Sequence, residues 1–202
     1  MHRRRPPLRH VDRPRPPARQ HPARRLGRRR QCLADRVIRV LAAVRTDAGE
    51  LLTAQLAAYV HEAQTVHRAD IPPLCDGLSD VREAITTGQV LIARDVDGTT
   101  PGRLVGGVRL TAHDGAGYLG RLAVVPDRQR ERIAGRLIDA AISRATERFS
   151  YIDLVTLRRS GHNAAMYTRR GWHELPADAA SGHPAVDDTG VELLWMRKHL
   201  TK

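Results

Sequence analysis

Tyr118-Leu-Gly-Arg-Leu-Ala-Val-Val-Pro126, Asp127-Arg-Gln-Arg-Glu-Arg-Ile-Ala-Gly-Arg-Leu137 and the periodic segment running on to Ala145 decide how the chain is read. An apolar, strand-like run ends at a proline. A short basic loop follows, and then a helical pattern begins. Ile133, Leu137, Ala141 and Ala145 recur every four residues, with Ala134, Ile138 and Ile142 beside them. Arg132, Arg136, Asp139, Arg144 and Glu147 fall mostly elsewhere, so the spacing predicts a helix with one buried stripe. In a strand–loop–helix unit the first N–H groups of the helix have no partner within it. Together with the positive end of the helix dipole they suit a phosphate or pyrophosphate. Arg128, Arg130 and Arg132 add formal charge there. An ordinary strand–helix connection with a solvated basic face fits the same pattern.

Leu122-Ala-Val-Val-Pro126 followed by Gln129-Arg-Glu-Arg-Ile-Ala134 resembles the acetyl-CoA signature of the GNAT N-acetyltransferase superfamily. That signature is a strand ending L-x-V-x-P, then Q/R-x-x-G-x-G/A opening a helix. Gln129 and Ala134 match it, whereas Arg132 occupies the usual place of the middle glycine. If that position requires positive φ, an arginine costs about 1–2 kcal/mol; with helical φ the penalty vanishes. Ser160-Gly-His-Asn163-Ala-Ala-Met-Tyr167-Thr-Arg-Arg-Gly171-Trp172 resembles a second recurrent stretch of the superfamily, the N…Y-x-x-x-G-F/Y helix and turn. The order and separation of the two stretches make the resemblance specific. It spans about residues 37–200 and implies an α/β GNAT fold: a mixed, bent central sheet of six to seven strands with helices on both faces. Tyr59-x-x-Glu62-Ala-Gln64, Ile71-Pro-Pro-Leu74 and Tyr118-x-Gly120-Arg121-Leu-Ala-Val also resemble one bacterial subgroup, which names no substrate.

The charge is unevenly placed. The net value is +12, but residues 1–31 hold twelve Arg and one Asp, and the rest of the chain has 22 basic and 21 acidic residues. Those first residues also contain six of the twelve prolines and few apolar side chains, so they cannot offset the entropy of ordering. We therefore expect residues 1–36 to be a disordered Arg/Pro-rich tail and residues 37–202 to form one domain with a real core. Three readings of the tail stand side by side: a tether to nucleic acid or an anionic membrane, an inert extension, or translated upstream DNA. The third follows from 32 Arg against two Lys, the bias of GC-rich coding, and would put the natural start near Val37 or Val40. Nucleic acid is thus an expected partner only if the tail belongs to the protein. No apolar h-region follows the arginines and no run reaches the length of a membrane span. Cys32 and Cys75 form neither a metal spacing nor a disulfide framework, and a reducing cytoplasm is the expected compartment. No metal is expected.

The remaining elements follow from pattern. Val37–Val44 reads as a strand and Glu50–His67 as a helix with Leu52, Leu56, Tyr59 and Val60 on one stripe. Ile71–Leu74 breaks that helix, and Ser79 is placed as the N-cap of a short helix ending near Gly88. Gln89–Asp95 and Arg103–Ala112 read as strands joined by a hairpin connection at Asp97–Gly102, with Gly117–Pro126 next. Tyr151–Leu157 is a strand, 163–170 a helix closed by Gly171, and Trp172–Leu175 and Val191–Leu200 a closing strand pair. Pro176–Gly190 is a connecting loop.

Acetyl transfer to an amine requires a polarised thioester carbonyl, a neutral amine, their alignment, and a proton for the departing thiolate. The resemblance places Leu122, Ala123 and Val124 along acetyl-CoA, with an N–H near Val124 on the acetyl oxygen. It places Gln129, Arg130, Glu131, Arg132, Ile133, Ala134 and Gly135 around the pyrophosphate. Tyr167 is the candidate general acid, because a phenol lies within a couple of pH units of a thiol. Asn163, one turn earlier, and Ser160 compete for the pantetheine contact. Glu62 leads as general base, with His61, His113, Asp114 and water as alternatives, and each also fits a solvated surface role. Arg121 could bind an acceptor carboxylate or form a structural ion pair. The expected activity is direct transfer from acetyl-CoA to a primary amine, on a small molecule or else on a protein N-terminus or lysine. A non-catalytic acyl-CoA-binding regulator is the alternative. A homodimer stays open.

Overall fold

A computed structural model describes residues 37–96, 102–113, 115–176, 184–188 and 190–201. The expected tail, most of the 97–102 connection, Asp114 and much of the 176–190 loop lie outside them.

The described elements are β1 (Val37–Ala42), α1 (Ala48–Thr65), α2 (Pro72–Cys75), α3 (Leu78–Thr86), β2 (Val90–Val96), β3 (Leu104–His113), β4 (Ala116–Val124), α4 (Ile133–Thr146), β5 (Tyr151–Leu157), α5 (Gly161–Thr168), β6 (His173–Glu174) and β7 (Leu193–His199). They build a seven-stranded mixed sheet in the order β1-β2-β3-β4-β5-β7-β6, in which only β4 and β5 pair in parallel. The predicted stripe on α4 is the core of the domain: Ile133, Leu137, Ala141 and Ala145 are all buried, as is Ile138.

Successive residues of β3 show which helix covers which face, since neighbouring side chains of a strand point oppositely. A Cβ on Gly106 would lie 3.2 Å from Leu137 of α4, and one on Gly107 would lie 2.5 Å from Leu51 of α1. Helices α1 and α4 therefore clamp β3 and β4 from opposite sides, and the two glycines permit the close approach. The start of α1 is tied to the sheet by charge. Arg94 of β2 donates to Asp47 at 2.7 Å and to Glu50 at 2.8 Å, and Glu50 also accepts the Leu104 N–H at 2.7 Å.

Two local expectations change. The N-cap of α3 is Gly77 and not Ser79; Asp80, three residues on, accepts the Gly77 N–H at 2.7 Å, so the carboxylate and not the hydroxyl ends the helix. Ile71–Leu74 does interrupt the long helix, but its two prolines then open the single turn of α2, where a fixed φ near −65° is already helical. Gly171 takes the expected left-handed closing conformation at φ +82°.

Candidate active site

Strands β4 and β5 pair over only two positions, Gly117 with Ile152 and Tyr118 with Asp153. Past them the strands diverge, and a gap opens in the middle of the sheet. Val125 donates its N–H to Val105 of β3 at 3.0 Å, so by strand alternation the peptide groups of Val124 turn the other way, into the gap. The Gln129 side chain lies on that side and donates to the Val124 carbonyl at 3.2 Å.

One extra residue in β4 sharpens the divergence. The register passes from Gly107↔Ala123 to Arg109↔Gly120, a bulge that includes Arg121, whose φ is +53°. The Arg121 guanidinium binds Asp76 with two bonds, at 2.8 and 3.0 Å. Asp76 follows α2, and it also accepts from Gln55 of α1 at 2.9 Å and from Arg109 of β3 at 3.4 Å. Burial alone would raise the Asp76 carboxyl, but the Arg121 and Gln55 hydrogen bonds outweigh it and hold the group below its ordinary range. Of the two roles considered for Arg121, the structure shows an ion pair.

The gap continues into a groove of about 1010 Å³. Its walls come from α1 (Tyr59, His61, Glu62), β4 (Leu122, Val124), the loop and first turn of α4 (Gln129, Arg130, Arg132 to Gly135), the end of β5 and α5 (Ser160, Asn163, Tyr167). Twelve of the fourteen residues singled out by sequence thus meet at one groove. Ala123 and Glu131 do not line it. Ala123 is buried on the β3 side of the alternation, and the Glu131 carboxylate is taken by Arg128 at 2.9 Å. Arg128 also pairs with the buried Asp95, so its charge is committed to holding the loop.

In that loop Arg130 and Arg132 both adopt left-handed conformations, φ +66° and +62°, and both side chains are exposed. The glycine-free signature therefore carries the strain that its sequence allowed for. Replacing Arg132 with Gly should stabilise the domain by about 1 kcal/mol, the relieved strain exceeding the added freedom of the unfolded chain. Chemical denaturation of the two proteins checks this, and an equal or lower midpoint would refute it.

The glycine that follows the signature, Gly135, has another function. A Cβ on Gly135 would sit 2.1 Å from Nη2 of Arg170, so this guanidinium lies directly on the first turn of α4. Arg170 reaches there from the end of α5, 3.6 Å from Asp139 and 3.4 Å from the Met166 carbonyl. The sequence did not single out Arg170, because the contact joins residues 35 apart with no shared local pattern.

Tyr167 is buried, its ring edge-on to the fully buried Trp172 with centroids 5.7 Å apart. Burial first, and then the nearby Glu62 charge, push its phenol well up. Burial likewise raises Glu62. Tyr59, one turn before Glu62, is raised by burial and by the Glu62 charge, and burial raises Tyr118 too, against an opposing effect from Arg121. Two phenols and a carboxylate, Tyr59, Tyr167 and Glu62, thus line the groove together. Among the described residues no helix is long and apolar enough to cross a membrane.

The sheet is split between β4 and β5, and the split runs into the N-terminus of α4, the arrangement that the signature implied. Residues 86–174 match the family model described as the acetyltransferase (GNAT) domain. The fold is similar to that of a GNAT-family acetyltransferase from Staphylococcus aureus Mu50, at 17% identity and a TM-score of 0.62, covering 82% of this chain and 100% of that one. It is similar to the PaiA N-acetyltransferase from Thermoplasma acidophilum, solved with coenzyme A, at 13% identity, a TM-score of 0.60 and coverage of 81% and 99%. The ribosomal-protein-S18-alanine N-acetyltransferase from Escherichia coli is a further likeness, at 13% identity, a TM-score of 0.54 and coverage of 82% and 96%. At these identities the likenesses speak for the fold. A search of curated protein sequences gives no significant match.

Proposed function

We propose that the chain is an N-acetyltransferase that passes an acetyl group directly from acetyl-CoA to a primary amine of a small molecule. The observation that carries this reading is the convergence of the split sheet, the unpaired N–H groups of the first turn of α4, the buried Tyr167 and the part-buried Glu62 on one groove. Acetyl-CoA supplies an activated thioester. Its phosphates fit the positive end of α4, where Ile133, Ala134 and Gly135 present N–H groups and Arg130 and Arg132 add charge. The Val124 N–H, turned into the gap, is placed to receive the carbonyl oxygen. Glu62, unpaired among the described residues and raised by burial, takes the proton from the incoming ammonium. The neutral amine attacks the thioester carbonyl, the C–S bond of the adduct breaks as Tyr167 gives its proton to the leaving sulfur, and the second proton shed by the nitrogen restores the phenol. Burial and the Glu62 charge keep the phenol protonated, so its proton is available when the thiolate forms. Ser160 and Asn163 both line the groove, one at the N-cap of α5 and one within its first turn, and both are proposed to bond the pantetheine arm.

The test is thermal unfolding of the full chain with acetyl-CoA, followed by thiol release with a panel of primary amines. Saturation at one hundred times Kd adds about 2.7 kcal/mol to stability, a clear rise in Tm. A rise together with thiol release supports the reading. A rise with no release for any amine supports the alternative of an acyl-CoA-binding regulator.

A further inference from the structure

The loop before α4 is held in shape by side chains from outside the groove, and what that does for binding rests on the acetyl-CoA reading above. Arg130 and Arg132 are both left-handed, a conformation that glycine takes freely and arginine does not. Two such residues persist only where their surroundings over-determine them. Glu131, between them, is gripped by Arg128, whose Nε lies 3.0 and 2.9 Å from its two oxygens and whose Nη2 lies 2.9 Å from one. The other amino group of Arg128, Nη1, donates to Asp95 of β2. Strand pairing fixes Asp95 in turn, since its N–H donates to the Arg103 carbonyl at 2.9 Å. The Asp95 side chain is 6% exposed and that of Arg128 15%, so water and salt screen this pair little. Arg103 also binds Asp127 with two bonds, at 2.6 and 2.9 Å. The loop is thereby tied to β2 and the start of β3 at two successive residues, Asp127 and Arg128.

We infer that Asp95 and Glu131, acting through Arg128, are positioning residues for the phosphates of acetyl-CoA, and that this anchor does the work of the signature's missing glycine by holding the loop backbone left-handed. Neither carboxylate lines the groove, so each acts on the ligand through the loop. Charge alone makes the opposite prediction. A carboxylate beside an anion site repels the anion, and neutralising it should tighten binding. A carboxylate that holds the loop should weaken binding when it is neutralised, because fewer molecules then carry the binding shape.

The sign of the change is the test. CoA is titrated calorimetrically into the full chain carrying Asp95→Asn or Glu131→Gln, each alone and combined with Arg132→Gly. If loss of the anchor leaves about a tenth of the molecules in the binding shape, Asp95→Asn weakens CoA binding about tenfold. Glu131→Gln should weaken it in the same direction, and in thiol release both losses should fall on KM for acetyl-CoA more than on kcat. With Arg132→Gly present, the Asp95→Asn loss should shrink to less than about threefold, because glycine needs no anchor to stay left-handed. Unchanged or tighter CoA binding in an Asp95→Asn protein that melts cooperatively overturns the inference. So does an equal loss with and without Arg132→Gly. Should Asp95→Asn fail to fold, Glu131→Gln, whose side chain is 46% exposed, carries the same test. Absence of CoA binding in the unsubstituted protein overturns the acetyl-CoA reading instead. The anchor is then read without ligand, as trypsin cleavage after Arg130 and Arg132, which should be faster in either variant; equal rates overturn it.

Discussion

Tyr167→Phe should lower kcat by roughly 10²–10³-fold, within the range of general acid catalysis, while acetyl-CoA still raises the Tm. The substitution removes one hydroxyl and leaves the ring packed on Trp172, so folding should be nearly unaffected. Loss of the hydroxyl leaves the departing thiolate without a proton donor in a pocket that opposes charge. Thiol release measured beside a melting curve separates chemistry from folding. A kcat within threefold of the unsubstituted enzyme would remove Tyr167 from the mechanism and leave water as the proton source.

Glu62→Gln should reduce kcat/KM by roughly 10²-fold, because an amide cannot take the ammonium proton. The pH profile carries the sharper information. Burial raises the Glu62 carboxyl, so activity should fall on acidification through a value above the ordinary carboxylate range, and the variant should lose that limb. The sign for stability is the reverse of that for activity. The folded protein binds this proton more tightly than the unfolded chain, so the contribution of Glu62 to stability is present at low pH and lost as pH rises through the folded value. The variant should accordingly melt at or above the temperature of the unsubstituted protein at neutral pH, with the gap closing on acidification. An unchanged acidic limb would pass the base role to His61 or to water.

Much of this site was legible because its backbone half is local. A strand ending at Pro126, a loop and a helix with a four-residue stripe lie within 28 consecutive residues, and nothing distant is needed to place the first turn of α4. The same holds for Ser160, Asn163 and Tyr167 on one short helix. The side-chain half is long-range. Asp76 meets Arg121 across 45 residues, and Arg170 reaches Gly135 across 35, and neither pair has a periodicity that would announce it. The Ser79 cap failed for a related reason: two residues near a helix start could supply the capping oxygen, and geometry selected Asp80. At Arg132 the sequence posed an alternative between left-handed strain and none, and the observed φ decided it.

The parallel pairing of β4 and β5 over two positions has a mechanical consequence. The β1–β4 and β5–β7–β6 portions of the sheet share a short seam, so in-plane rigidity across the domain is lowest there. A molecule lying in the gap and bonding the backbone of β4 would act as a brace between the two portions. Substrate binding should then stiffen the whole sheet, and slowed amide hydrogen exchange along β5 and β7 would register the change well away from the atoms that touch the ligand.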